Sequence, residues 1–204
     1  MSGSLYIVSA PSGAGKTSLV TALLTADPLV KKSVSYTTRA ARPGEQNGVH
    51  YHFIAPDEFE RMRAHGDLLE SALVHGNQYG TSRRTVARET AAGHDVLLEI
   101  DWQGAAQIRA IDPSAVAIFV LPPSIEALEE RLTGRGQDSA EVIARRVANA
   151  RGEIAHVSEF DYVIINDDFD RAAQDLISIV RAERLRHPRQ LARHTDLINR
   201  LTRS

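Results

Sequence analysis

The 204 residues contain no cysteine. That absence excludes disulfides and thiolate metal sites, and it suits a reducing compartment. Long hydrophobic runs are missing too. Nothing approaches the roughly 18 apolar residues of a membrane span, and the first residues carry neither a basic leader nor a long apolar stretch behind it. The expectation is a cytoplasmic protein, neither membrane-spanning nor exported by a standard signal. An excess of one charge is also lacking: 24 Lys and Arg stand against 26 Asp and Glu, for a formal net charge of −2. No global field therefore draws the chain to nucleic acid or to a membrane surface. Lysine itself is scarce, since only Lys16, Lys31 and Lys32 are lysines and the remaining cations are arginines; a GC-rich coding sequence accounts for most of that bias. The eight histidines are scattered, and none pairs at a metal-ligand spacing.

What is present begins with A-P-S-G-A-G-K-T at residues 10–17, behind the apolar run Leu5-Tyr6-Ile7-Val8 and ahead of Ser18-Leu19-Val20-Thr21-Ala22-Leu23-Leu24. Strand, glycine-rich turn and amphipathic helix are the context that makes this pattern a phosphate-binding P-loop. Glycines let successive backbone N–H groups curl around a phosphate, and the helix N-terminus adds partial positive charge. Lys16 is placed to reach β- and γ-phosphates, and the Thr17 hydroxyl to bind Mg²⁺. A compact, mobile ammonium suits that crevice better than a guanidinium does. One position departs from the general pattern, with Ala10 in place of its first glycine.

Apolar runs at 5–9, 95–100, 116–121 and 162–165 suit buried strands, and they alternate with helical patterns at 17–26, 102–111, 125–132 and 170–186. Such βαβ alternation predicts an α/β fold with a parallel sheet flanked by helices. Two regions interrupt it. Residues 34–82, rich in Tyr, Thr, His and Gly, predict an inserted small lobe with its own mixed sheet, including strand-like pieces at 49–54 and 68–74. A T-G-R-G-Q turn at 133–137 then precedes a predicted helix at 139–158; glycines around Arg135 suit a mobile flap that brings a cation over a ligand. From Arg181 onward the chain carries seven arginines, with Pro188 splitting it into two helical segments. A solvated helical face is the expected role there, with oligomer or RNA contact the lesser reading.

The small lobe holds a second constellation: Ser35-Tyr36-Thr37-Thr38-Arg39, Arg42-Pro43-Gly44-Glu45, Gly48-Val49-His50-Tyr51, then Glu70 and Gly76-Asn77-Gln78-Tyr79-Gly80-Thr81. Two arginines and two tyrosine hydroxyls can clamp a phosphomonoester dianion. A carboxylate such as Glu70 can accept from N1–H and N2–H₂ of guanine, a donor pair that adenine lacks on that edge. From spacing alone, without the P-loop, the same residues are better read as a tyrosine-rich core with surface arginines.

Taken in order, A-P-S-G-A-G-K-T, S-Y-T-T-R-A-A-R-P-G-E, H-Y-H-F, G-N-Q-Y-G-T, E-I-D-W-Q-G, R-L-T-G-R-G-Q and I-I-N-D-D resemble the guanylate kinase family over about residues 5–186. The resemblance implies a CORE P-loop domain (1–33, 83–124 and 159–204), an inserted mixed-sheet GMP-binding lobe (34–82) and a helical LID (125–158). It also implies Mg²⁺ as cofactor, with ATP and GMP as the small-molecule substrates. Carried over residue by residue, it assigns ATP to Ser12, Gly13, Ala14, Gly15, Lys16, Thr17 and Ser18, with Asn166 and Asp167 at adenine. GMP falls to Ser35, Glu70, Thr81 and Asp101 around the base and to Arg39, Arg42, Tyr51 and Tyr79 around the phosphate. Lys16, Arg39, Arg135 and Arg146 take the catalytic charge roles, and Thr17 takes Mg²⁺, with Glu99 orienting it through water. Thr81 stands where Ser is common, and Glu99 where many members have Asp. Glu99 and Asp101 are expected on one face of a single strand. No nucleic-acid or membrane partner is implied, and a homo-oligomer stays open.

Three other readings are weaker. A GTPase would carry N-K-x-D, which Asn166-Asp167-Asp168 does not supply. A ribose-bisphosphate kinase would keep the P-loop without needing Ser35 and Glu70. A silent peptide-binding scaffold would lose phosphate-binding residues, whereas Lys16, Thr17 and Arg135 are all present.

Overall fold

A computed structural model describes residues 3–74, 76–134 and 139–203. Its first strand, β1 (Leu5–Ser9), is buried along its whole length, as a strand covered on both faces must be. The glycine turn follows, then helix α1 (Lys16–Ala26). Beyond it come strands β2 (Val30–Lys32), β3 (Tyr36–Thr37) and β4 (His52–Phe53), helix α2 (Pro56–Ala64), strands β5 (Leu68–Val74) and β6 (Asn77–Ser82), and helix α3 (Arg83–Ala91). The second half runs β7 (Asp95–Glu99), α4 (Trp102–Ile111), β8 (Val116–Leu121), α5 (Ile125–Gly134), α6 (Ala140–Ile154), β9 (Tyr162–Ile165), α7 (Phe169–Arg184), α8 (His187–Arg193) and α9 (Thr195–Thr202).

Five strands form one sheet in the order β2-β7-β1-β8-β9, and every neighbouring pair in it is parallel. Side-chain alternation divides the core into two layers. Tyr6 and Val8 face α1 and α7, joining Leu19, Leu23, Leu176 and Val180. Leu5 and Ile7 face the opposite way, joining Val86 of α3 with Ala105 and Ile108 of α4. Helices α5 and α6 make a smaller cluster of Leu128, Leu132, Ile143 and Ala150. The second sheet, β4-β3-β6-β5, is mixed: β3 and β4 are parallel, and the other two pairs are antiparallel. The expected α/β architecture, with a parallel sheet and an inserted mixed one, is what the chain forms.

Local differences have local causes. The strand expected at 95–100 ends at Glu99, because Asp101 leaves the extended pairing to cap α4. Glu99 and Asp101 therefore do not share a strand face, contrary to expectation. The piece at 49–54 joins the sheet at His52–Phe53, with Tyr51 making an isolated bridge to Asn47, since Val49 and His50 turn back onto the Gln46 carbonyl. Helix α5 continues through Thr133 and Gly134, so these two residues of the expected turn are helical; Arg135, Gly136 and Gln137 lie outside the described residues. The helix at 139–158 is capped by Ser139, stops at Ile154 and is followed by a short 3-10 turn at Val157–Glu159. The C-terminal segment is not one continuous helix: α7 ends at Arg184, and a new helix opens around Pro188. The proline sits in the first turn of α8, where its missing N–H is harmless. Nor is that segment wholly solvated: Arg184 bonds Asp27 and Asp95, at 2.5 Å each, beneath the sheet.

Candidate active site

Parallel strands gather loops at their C-terminal ends, and ligands bind there in open α/β sheets. Here those ends deliver the P-loop after β1, Lys32 from β2, Glu99 from β7 and Asn166 after β9. Gly13 and Gly15 adopt φ of 98° and 94°, left-handed values that favour glycine. Gly15 is the N-cap of α1, and among the described residues no side-chain cap bond closes the helix's first N–H groups. Those donors remain open to an anion. The loop is braced from behind, where the buried Asn166 amide donates 2.7 Å to the Ala14 carbonyl. Arg131 in turn holds the Asn166 carbonyl at 2.9 Å. Asp167 is exposed and accepts from the Asp168 N–H.

Lys16 reaches the Ile100 carbonyl at 3.4 Å, and Thr17 donates its hydroxyl to Glu99 Oε1 at 2.5 Å. The other Glu99 oxygen takes the Lys32 ammonium at 2.6 Å. Burial alone would raise the pKa of Glu99. The charges of Lys16 and Lys32, with the bonds from Lys32 and Thr17, outweigh burial and leave it below the usual carboxylate value. Glu99 is therefore an anion between two lysines. From α6, Glu153 accepts from the Ser12 backbone N–H near Lys16 and Arg146; burial, reinforced by the Asp101 charge, raises its pKa despite those cations.

The second sheet supplies another anion-handling cluster. Arg39 donates to Glu45 Oε1 at 2.7 Å and to the Ala40 carbonyl at 2.7 Å. Its guanidinium stands 5.4 Å from the Tyr51 ring centre, and its pKa is raised first by the Glu45 bond, with a further bond to Tyr79. Tyr51 and Tyr79 meet edge to face at 5.8 Å. Burial, then the Glu99 charge, pushes Tyr51 up to about 12; that coupling places the Glu99 field across both clusters. The Arg42 side chain is exposed, while its backbone N–H donates to Glu45 Oε2 at 2.7 Å.

Deeper in the lobe, Glu70 is 4% exposed, with Thr81 at 0% and Ser35 at 9%. Thr81 donates to Glu70 Oε1 at 2.6 Å. A register shift makes that contact: Leu68 pairs Ser82 and Glu70 pairs Thr81, so Leu69 is the extra residue. Bulges re-aim side chains in this way. The other oxygen, Oε2, faces Gly104, where a Cβ would stand only 2.6 Å away. Asp101 caps α4 through the Gly104 N–H at 3.0 Å. Burial, opposed by the Thr81 bond and assisted by the Asp101 charge, pushes Glu70 up to about 7. Sequence reasoning gave no site role to Gly104, Lys32, Glu45 or Glu153. Glu45 and Gly104 carried a signal, as the last residues of the R-P-G-E and E-I-D-W-Q-G runs.

Among the described residues no cluster of three His, Cys, Asp or Glu stands ready for a metal, and no helix is long and apolar enough to cross a membrane. A family model described as guanylate kinase matches residues 2–183. Curated guanylate kinases similar to this chain include that of Methylobacillus flagellatus, 59% identical over 201 residues (98% of this chain, 100% of the relative). That of Vibrio parahaemolyticus is 58% identical over 201 residues, covering 98% of this chain and 97% of its own. Among solved structures, the guanylate kinase from Anaplasma phagocytophilum superposes with a TM-score of 0.78 at 36% identity, covering 92% of this chain and 89% of its own.

Proposed function

This chain belongs to the guanylate kinase family, and on that premise we propose that it transfers the γ-phosphoryl group of ATP to GMP, giving ADP and GDP with the help of Mg²⁺. The observation that carries the choice of acceptor is Glu70. It is a buried carboxylate with one oxygen held by Thr81 and the other against a glycine wall. Guanine fits that site because N1–H and N2–H₂ donate side by side, and a base without them leaves the carboxylate unpaired, at a cost of about 1.5–3 kcal/mol. None of the assigned contacts reads the sugar, so the reading extends to dGMP.

The acceptor is a phosphate oxygen that is already anionic near neutral pH, so the reaction needs no strong base. The opposing terms are charge repulsion and misalignment, and phosphoryl transfer is solved by positioning and electrostatics. In this reading the open N–H groups of 13–18 and Lys16 hold the donor phosphates. Arg39, Arg42, Tyr51 and Tyr79 hold the acceptor, Ser35 and Asp101 border the base, and Asn166 braces the loop beside the Asp167 adenine edge. Arg146 and the sequence-assigned Arg135 add charge from the 125–158 segment, which serves as LID between the core segments and the 34–82 lobe. The Thr17 hydroxyl and Glu99 carboxylate are hard oxygen donors of the kind Mg²⁺ prefers, and such ions are held mainly by substrate phosphates and water. When bound, the ion supplies neutralising charge at the β- and γ-oxygens. The substrates are small molecules of the cytoplasm, which accords with a cysteine-free chain.

A coupled assay of the purified protein with ATP against GMP, AMP, CMP and UMP tests the proposal. GMP is expected to exceed each rival by at least about 100-fold in kcat/KM, roughly 2.7 kcal/mol. Comparable turnover of AMP would overturn it.

A further inference from the structure

Glu99 has one methylene more than aspartate, and hence one more torsion through which its carboxylate can swing. Two contacts fix it: Thr17 on Oε1 and Lys32 on Oε2. Lys32 is the last residue of the edge strand β2, paired in register with Leu97 of β7, two residues before Glu99. Its side chain retains 27% exposure and the carboxylate only 10%. A largely buried ion pair is weak evidence of a stabilising role, because desolvation offsets the attraction. An edge-strand ammonium turned toward the C-terminal ends of the sheet, onto the one carboxylate bonded to Thr17, is therefore better explained by what it does for that carboxylate.

We propose that Lys32 is a positioning residue for the metal. It occupies Oε2 of Glu99 and so presents Oε1 alone, at a fixed reach, to Thr17 and to the hydrated ion that arrives with ATP. The proposal rests on the kinase reading above, and it adds a residue that neither the P-loop pattern nor the resemblance assigns. An oxygen held on one side cannot rotate toward the Lys16 ammonium or out to solvent. The longer arm then works at a single geometry, as preorganised supporting residues make metal ligands do.

The test is the affinity of Mn²⁺ for the protein saturated with a non-hydrolysable ATP analogue, read by electron paramagnetic resonance, which needs no turnover. Lys32→Met is expected to weaken that affinity about 5- to 20-fold, and Lys32→Arg to stay within about threefold of wild type. In a Glu99→Gln background the same Lys32→Met change should cost less than about twofold, since the pair is already broken. Unchanged or tighter Mn²⁺ binding in Lys32→Met overturns the proposal, as does an equal loss in both backgrounds. Lys32→Gln replaces Lys32→Met if the latter melts early. A wild type that fails to phosphorylate GMP would remove the kinase reading while the Mn²⁺ result still decides the role of Lys32. A wild type that turns over GMP with Mn²⁺ affinity insensitive to Lys32 removes only the latter.

Discussion

The two anion-handling regions are built by opposite means. The P-loop side is largely backbone: its donors are consecutive N–H groups of one turn, shaped by glycines at positive φ and braced by Asn166. The small-lobe side is entirely side chain: Arg39, Tyr51, Glu70, Tyr79 and Thr81 converge from four strands and the loops around them. A backbone cradle binds any phosphate and says nothing of the base. Side chains assembled from separate stretches are what can tell guanine from adenine. On the proposed reading, generic affinity resides on one side and selectivity on the other, and substitutions should separate the two.

The largest effect is expected on the donor side. Lys16→Ala removes the one mobile cation of the cradle and should lower kcat at least about 100-fold, or 2.7 kcal/mol of barrier, while the GMP dissociation constant stays within about threefold. Steady-state kinetics beside calorimetric GMP titration checks both. A kcat above one tenth of wild type would erase the proposed division of labour.

Next comes the base pocket. Glu70→Gln should lower kcat/KM for GMP by about 10- to 150-fold, the range for losing a charged hydrogen-bond acceptor, with little change in the KM for ATP. It should also alter pH dependence. Burial pushes Glu70 up to about 7 from the ordinary glutamate value of 4.5, so the native state holds more protons than the unfolded state between those values. Stability of the unliganded protein should then fall as pH rises through roughly 4.5–7 and level off above. Thermal melts of Glu70→Gln should lack that slope. Identical slopes in both proteins would show that Glu70 is not the buried acid.

Gly104→Ala probes the same wall from the other side. The added Cβ would stand 2.6 Å from Glu70 Oε2 and 3.2 Å from Ile100 Cδ1, so either the carboxylate or α4 must shift. Overpacking of this kind costs about 1–3 kcal/mol. The expected result is a 5- to 50-fold loss in kcat/KM for GMP together with a lower melting temperature. An unaltered GMP response would mean that Oε2 does not face the base.

The difference in construction also explains what could be read from the sequence. Eight consecutive residues spell the P-loop, and continuous apolar runs gave β1 and β8 at their observed limits, because strands buried on both faces leave an unbroken signature. The apolar run of β9 and the helical pattern of α4 also matched their limits, although Val163 and Ile165 of β9 are exposed. The lobe's residues could be gathered into one constellation, but not its geometry. Strands β3 and β4 are two residues each, too short for any periodicity. The bulge that turns Glu70 onto Thr81 depends on pairing with a distant strand, and Gly104 matters only through a carboxylate 34 positions earlier. Lys32 looks like any surface lysine until β2 is laid beside β7.

The smallest effect is expected at Glu45, and it separates holding a phosphate from aiming the residue that holds it. Glu45 bonds Arg39 at one oxygen and the Arg42 N–H at the other, closing the turn that carries both arginines. Arg39 and Glu45 retain 13% and 18% side-chain exposure, so water partly screens the pair and its worth is modest. Burial works against the Glu45 charge, yet the Arg39 bond dominates and lowers its pKa, leaving the pair intact at neutral pH. Any stability it contributes is present above the unfolded carboxylate value and is lost as pH falls below it. Glu45→Gln keeps one acceptor oxygen and puts an amide NH₂ in place of the other, so it removes the charge and one of the two bonds. It should raise the KM for GMP about two- to fivefold, below roughly 1 kcal/mol, with kcat nearly unchanged, because Arg39 still reaches the phosphate but is aimed less firmly. A KM that falls instead would show the carboxylate competing with the phosphate for Arg39, and the acceptor clamp would then be one that substrate must first unlock.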